Sequence, residues 1–235
     1  MQKPTLFCIP FSGGSFYSYR ELEKSLSHAV KVAAVDMPGH GRRMGDPLLT
    51  DAYEIAEDLL TNIKAELGEP YAIYGHSLGA KVTYLLAKKI VEKGYPRPRH
   101  LFVSGSGGPP TRIKEKDLYL LPKQEFFDKM REYGGTPEEV LAEGDLMDFM
   151  EPILRADFQA VGTYEYKNGL RLDIPITVMI GSDDNVTRSE ALTWQEVTTR
   201  EIAVRQFPGG HFFIFDHLTE ISSIICQELE KAGVG

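Results

Sequence analysis

The chain holds little that would place it among secreted, membrane or nucleic-acid-binding proteins. Two cysteines in 235 residues are too few for a disulfide framework. Cys8 falls in an expected buried strand and Cys226 in the last expected helix, so both read as free thiols, and neither has metal-ligand spacing around it. No apolar run approaches the length of a membrane span, and no basic segment followed by an apolar stretch precedes the first expected strand. The expectation is a cytoplasmic protein without membrane contact. Excess positive charge is missing as well: 26 Lys and Arg against 34 Asp and Glu give a net charge of −8, which argues against a nucleic-acid partner. Linker tracts, repeats and low-complexity segments are lacking, so residues 1–235 read as one domain. A 42% hydrophobic fraction supplies one sizeable core.

What is present is an alternation. Apolar runs near 5–9, 30–35, 71–74 and 100–104 read as strands, separated by helical patterns near 16–26, 52–67 and 80–93. The pattern resumes with strands near 176–180 and 202–207 and helices near 189–198 and 218–231. Strands joined by helices pair in parallel through right-handed crossovers, so the expected class is α/β, a mostly parallel central sheet with helices on both faces.

The chemistry centres on Gly75-His76-Ser77-Leu78-Gly79, between a strand and a helix. Such a turn lifts a serine hydroxyl clear of the sheet beside a helix N-terminus, and the flanking glycines are expected to let the backbone strain there. A nucleophilic serine needs a base and a carboxylate that orients it, expected in the chain order Ser, acid, His. Gly181-Ser182-Asp183-Asp184 ends one later strand, and Pro208-Gly209-Gly210-His211 ends the next. The candidate set is Ser77, Asp184 and His211. Asp183 competes for the acid's place; Asp184 is preferred as the third residue after the strand-ending glycine. An oxyanion hole would take the Leu78 amide and one from the loop Pro10-Phe11-Ser12-Gly13-Gly14, where Pro10 has no N–H. Phe11 is the first candidate and Ser12 the second. That loop lacks the G-K-[ST] ending of a nucleotide-binding loop. Among the other histidines, His76 is expected to prop the turn, and His28, His40, His100 and His217 read as structural or solvated.

From about 106 to 171 no buried strand is evident, while helical patterns cover Glu125 to Glu132, Pro137 to Leu141 and Asp145 to Asp157. This insertion is where a lid would be placed. Leu146, Phe149, Met150, Ile153 and Leu154 form one apolar face, and Phe126, Phe127 and Met130 another. Either they pack only on each other and on the sheet edge, or some of them line an acyl channel.

Phe7-Cys8-Ile9-Pro10-Phe11-Ser12-Gly13-Gly14, Pro38-Gly39-His40-Gly41-Arg42, the Ser77 pentapeptide, Leu154-Arg155-Ala156-Asp157-Phe158 and Pro208-Gly209-Gly210-His211-Phe212 together resemble the type II thioesterases of nonribosomal peptide and polyketide synthesis. These are α/β-hydrolases with fatty-acyl thioesterases as near relatives. Leu78 stands where that family often has Met, with little consequence because the backbone does the work. The resemblance implies that Ser77 takes an acyl group from the phosphopantetheine thiol of an acyl or peptidyl carrier protein and passes it to water, freeing misprimed carriers. No cofactor is implied, and the protein is expected to be a monomer. Carrier proteins tend to be acidic, so a docking region would draw on Lys88, Lys89, Lys93, Arg97, Arg99, Arg112, Lys114 and Lys116. The same triad also serves small-molecule carboxylesterases and acyltransferases, and a hydrolase-fold binding protein without catalysis is a further reading.

Overall fold

The computed structural model describes residues 3–68, 70–134 and 143–233. Six strands, β1 (Thr5–Ile9), β2 (Lys31–Ala34), β3 (Tyr71–His76), β4 (Leu101–Ser104), β5 (Ile176–Gly181) and β6 (Ala203–Phe207), form a single sheet in the order β2-β1-β3-β4-β5-β6. Every pairing is parallel. The helices are α1 (Arg20–Leu26), α2 (Ala52–Ile63), α3 (Leu78–Glu92), α4 (Lys123–Tyr133), α5 (Gly144–Gly162), α6 (Arg188–Leu192) and α7 (Leu218–Lys231). Several expected helices are finished by a tighter turn: 3-10 segments precede α1 at Phe16–Tyr19, follow α2 at Lys64–Glu66 and follow α6 at Thr193–Val197.

The inner strands β1, β3, β4 and β5 are buried almost throughout because helices cover both faces. Phe7, Ile9 and Ile73 face α2 and α3 in one core. Leu6, Cys8, Ala72 and Tyr74 face α1 and α7 in another. Asp51 starts α2 by accepting from the amides of Tyr53 (2.6 Å) and Glu54 (3.1 Å), a cap that contributes about 1 kcal/mol. Cys8 is fully buried and Cys226 partly so; both are free.

Between β4 and β5 the chain leaves the sheet. Fully buried Trp194 fixes the departure point by donating its indole N–H to Ser106 O at 2.9 Å. The insertion contributes α4 and α5, longer than the expected spans by a few residues; the helical pattern at 137–141 lies outside the described residues. Phe126, Phe127, Met130 and Met147 form a small core of their own. Of the expected apolar face of α5, Phe149 is instead half exposed, and Met147 takes the buried place at 3% exposure. The face is rotated from the expected one, with Pro152 in the middle of the helix removing one backbone hydrogen bond. No described helix is long and apolar enough to cross a membrane.

Candidate active site

Parallel strands place all their carboxyl ends on one edge, and the loops there carry Phe11, Ser77, Asp184 and His211. Ser77 follows β3 with φ +56° and ψ −116°, the one non-glycine residue with positive φ among those described. The strain therefore resides in the serine. The two glycines act differently from the sequence expectation: neither has positive φ, and each is needed because a neighbour lies too close for a side chain. A Cβ on Gly75 would meet Gly79 O at 2.1 Å, and one on Gly79 would meet Ile9 O at 2.2 Å and Pro10 O at 2.6 Å. The absent side chains press the start of α3 against the loop after β1.

Ser77 Oγ lies 3.0 Å from His211 Nε2, and His211 Nδ1 lies 3.1 Å from both Asp184 carboxylate oxygens. Asp184 is 2% and His211 11% exposed in their side chains, so this chain of bonds is shielded from bulk water. Asp183 is exposed and uses its amide on Gly209 O at 2.9 Å, so of the two acids it is Asp184 that meets the imidazole. The order Asp184–His211–Ser77 allows proton transfer from the hydroxyl to Nε2, with the carboxylate fixing Nδ1–H as a donor.

His76 does prop the turn. It is fully buried, accepts or donates at Nδ1 with Ser104 Oγ (2.9 Å), and packs against His211 with ring centroids 4.9 Å apart. Burial, then the nearby His211, push its pKa well below 6.5, so it is a neutral spacer. Tyr133, at the end of α4, lays its ring edge-on to His211 at 5.7 Å and bonds Glu115 through its hydroxyl at 2.9 Å. No local pattern points to Tyr133 at the site, because the insertion's register over the sheet is not encoded locally.

Leu78 opens α3, and Phe11 and Ser12 follow β1; all three line the same cavity as Ser77. The amides of Phe11, Ser12 and Leu78 have no acceptor among the described residues. Phe11 O is occupied by Gly14 N at 2.8 Å in a turn. Gly13 N, by contrast, donates at 2.7 Å to Asp157 Oδ2 of α5. The same oxygen lies 3.0 Å from His40 Nε2, and His40 Nδ1 lies 2.9 Å from Pro38 O. Both neighbours of His40 are acceptors, an arrangement that favours the doubly donating imidazolium, with the ring 3% and the Asp157 carboxylate 1% exposed. Burial opposes its charge, but the bond to Asp157, that residue's charge, the Pro38 carbonyl and Asp36 outweigh it and raise the pKa above 6.5. His40 is thus not a bystander: it and Asp157, 117 residues apart, fasten the Phe11 loop to the insertion.

The cavity in front of Ser77 has a volume of about 580 Å³. Met130, Leu146, Met150 and Leu154 form part of its wall, so one half of the expected acyl-channel residues face it, while Phe126 and Ile153 are packed away. Of the eight basic positions, Lys89 and Lys93 both bind Glu57, holding its carboxyl down at about 2. Arg97 pairs with Asp173, Lys114 with Glu190 and Lys88 with Glu92.

A serine on a strained strand-to-helix turn, within reach of a histidine and an aspartate at the carboxyl edge of a parallel sheet, defines a hydrolase of the α/β-hydrolase fold. The comparisons narrow this further, since the Thioesterase domain model matches residues 4–229. The chain therefore belongs to the thioesterase family and is a hydrolase of thioester bonds. It is 36% identical to the gramicidin S biosynthesis protein GrsT of Aneurinibacillus migulanus over 97% of this chain and 89% of that protein. Among solved structures it is similar to ClbQ from the colibactin NRPS/PKS pathway, at 31% identity and a TM-score of 0.93 over 99% of both chains. The type II thioesterase BorB of the borrelidin biosynthetic cluster gives 33% identity and a TM-score of 0.90 over 97% of this chain and 93% of that one. The chain is thus similar to a type II thioesterase and to proteins of antibiotic and NRPS/PKS biosynthesis.

Proposed function

We propose that this enzyme removes acyl groups from the phosphopantetheine arm of carrier proteins in such a pathway, with Ser77 as nucleophile. The observation that carries the reading is the Ser77–His211–Asp184 chain, at 3.0 and 3.1 Å, opening on an apolar cavity of about 580 Å³. His211 takes the Ser77 proton as Oγ attacks the thioester carbonyl, while Asp184 holds the imidazole and stabilises its cation. The Leu78 and Phe11 amides face the oxyanion; Ser12 is the second choice for the latter. The tetrahedral intermediate collapses with loss of the thiol, which takes the proton from His211. A thiolate leaves with less proton assistance than an amine, and a thioester has little of the resonance that protects an amide. Water, deprotonated by His211, then attacks the acyl-serine and releases the acid.

Binding of an acidic carrier draws on the cations left without an internal partner. Arg99, Arg112 at the cavity and Lys116 nearby, all exposed, have no ion pair among the described residues. The enzyme is taken to act as a cytoplasmic monomer, as one domain with residues 106–171 as its lid, and without a cofactor. Ser77→Ala should abolish release of acyl groups from acyl-phosphopantetheinyl carrier protein, followed by mass spectrometry; unchanged turnover defeats the assignment. A kcat/KM higher for a simple alcohol ester than for the carrier thioester would favour a carboxylesterase, and product other than acid on adding an amine or alcohol would favour an acyltransferase.

A further inference from the structure

Lys81 is charged, buried and unused by the hydrolytic steps above. It stands one turn after Ser77 on α3, so the two residues share a helix face, and it lines the cavity together with Ser77 and Leu78. Only 7% of the residue is exposed. Its ammonium lies 5.3 Å from the centroid of the Tyr164 ring, and among the described residues it has no hydrogen-bond or ion-pair partner. The Tyr164 hydroxyl is itself buried without a partner. A cation held this way carries a desolvation cost that a methionine or leucine at the same place would avoid. Burial lowers its pKa to about 8, and such a group still carries its proton in roughly nine of ten molecules at neutral pH.

The carboxylates that share the cavity are all engaged elsewhere. Asp184 holds His211, Glu190 pairs with Lys114, and Glu115 is taken by Lys129 and Tyr133. The acceptor for Lys81 must then come from what fills the cavity. Val161, Phe158, Met147 and Leu118 add apolar wall to the same cavity, and in such surroundings a single cation discriminates strongly between an alkyl end and an anionic one.

We propose that Lys81 binds a carboxylate carried on the acyl group, so that the enzyme selects acyl thioesters with an acidic far end over alkyl ones of equal length. The proposal rests on the thioesterase reading and on the acyl group entering this cavity. Its test uses N-acetylcysteamine thioesters in matched pairs, succinyl with butyryl and adipoyl with hexanoyl, and reads kcat/KM. In Lys81→Met the ratio of carboxylated to alkyl substrate should fall by roughly tenfold or more, and Lys81→Arg should restore most of it. Both substrates slowed alike, with the ratio within about twofold of wild type, would mean a packing role and overturn the proposal. The wild type decides even if the methionine variant does not fold, because release of butyryl roughly tenfold faster than succinyl would also overturn it. Failure to release any of the four acyl groups would instead strike the thioesterase reading itself.

Discussion

Asp157→Ala removes, in one step, the acceptor of two buried donors: the Gly13 amide at 2.7 Å and His40 Nε2–H at 3.0 Å. Stranding the cationic half of a buried pair costs about 3–5 kcal/mol, and His40 can relieve part of this by releasing its proton, so about 3 kcal/mol is expected. For 235 residues this corresponds to a melting temperature lower by about 6–12 °C. Asp157→Asn, which keeps an oxygen for Gly13 but no charge, should lose roughly half as much. Activity should suffer separately. Gly13 lies two residues beyond Phe11, and a misaligned oxyanion donor costs about 100-fold in kcat. The pH dependence has a definite sign. The folded state holds the His40 proton more tightly than the unfolded chain, so the pair's contribution is whole below the ordinary value of 6.5 and fades as pH rises through the raised one. Thermal unfolding by circular dichroism at about pH 6 and about pH 8, with thioester turnover in parallel, reads all of this. A drop below about 2 °C for Asp157→Ala at the lower pH would refute the reasoning.

Asp184→Asn should lower kcat by about 10⁴ because the imidazole loses its orienting acceptor, whereas Asp183→Asn should stay within about twofold; equal losses in a thioester assay would contradict the geometry. Tyr133→Ala should lower kcat/KM by roughly three- to tenfold as His211 loses its edge contact, with Tyr133→Phe close to wild type. A Tyr133→Ala enzyme with unaltered kinetics would separate the insertion from the base. Gly75→Ala should cost about 3 kcal/mol or more in urea unfolding, since the new methyl would meet the Gly79 carbonyl at 2.1 Å; a soluble variant of near-wild-type stability would show that the backbone there can yield.

The sheet was legible because the inner strands β1, β3, β4 and β5 are apolar runs closed by glycine, proline or serine, and all six observed strands overlap the expected ones. The order Ser77, Asp184, His211 was legible because those same strand ends carry it. Other features depend on distance along the chain. Nothing near His40 announces Asp157, and nothing near Lys89 or Lys93 announces Glu57, so cations that looked available for a partner are spent internally. Lys81 carries no signal of its own in the sequence, because periodicity does not say which polar position a distant insertion will cover. Phe149 and Met147 differ by two positions, about 200° around a helix, which is enough to exchange an inside place for an outside one. At the glycines around Ser77 the pattern points to backbone strain, whereas their place is set by crowding carbonyls and the strain itself sits in Ser77.

The fastening of α5 to the sheet edge limits how the entrance can widen. α5 cannot swing away as one rigid leaf, because that would draw the Asp157 carboxylate out from between buried His40 and the Gly13 amide of the loop after β1. Admission of a tethered substrate that preserves the catalytic floor falls to α4, where Tyr133 rests on the base. Entry of an acyl chain and exposure of His211 would then be one event, so that the base meets water most freely while a guest is arriving or leaving.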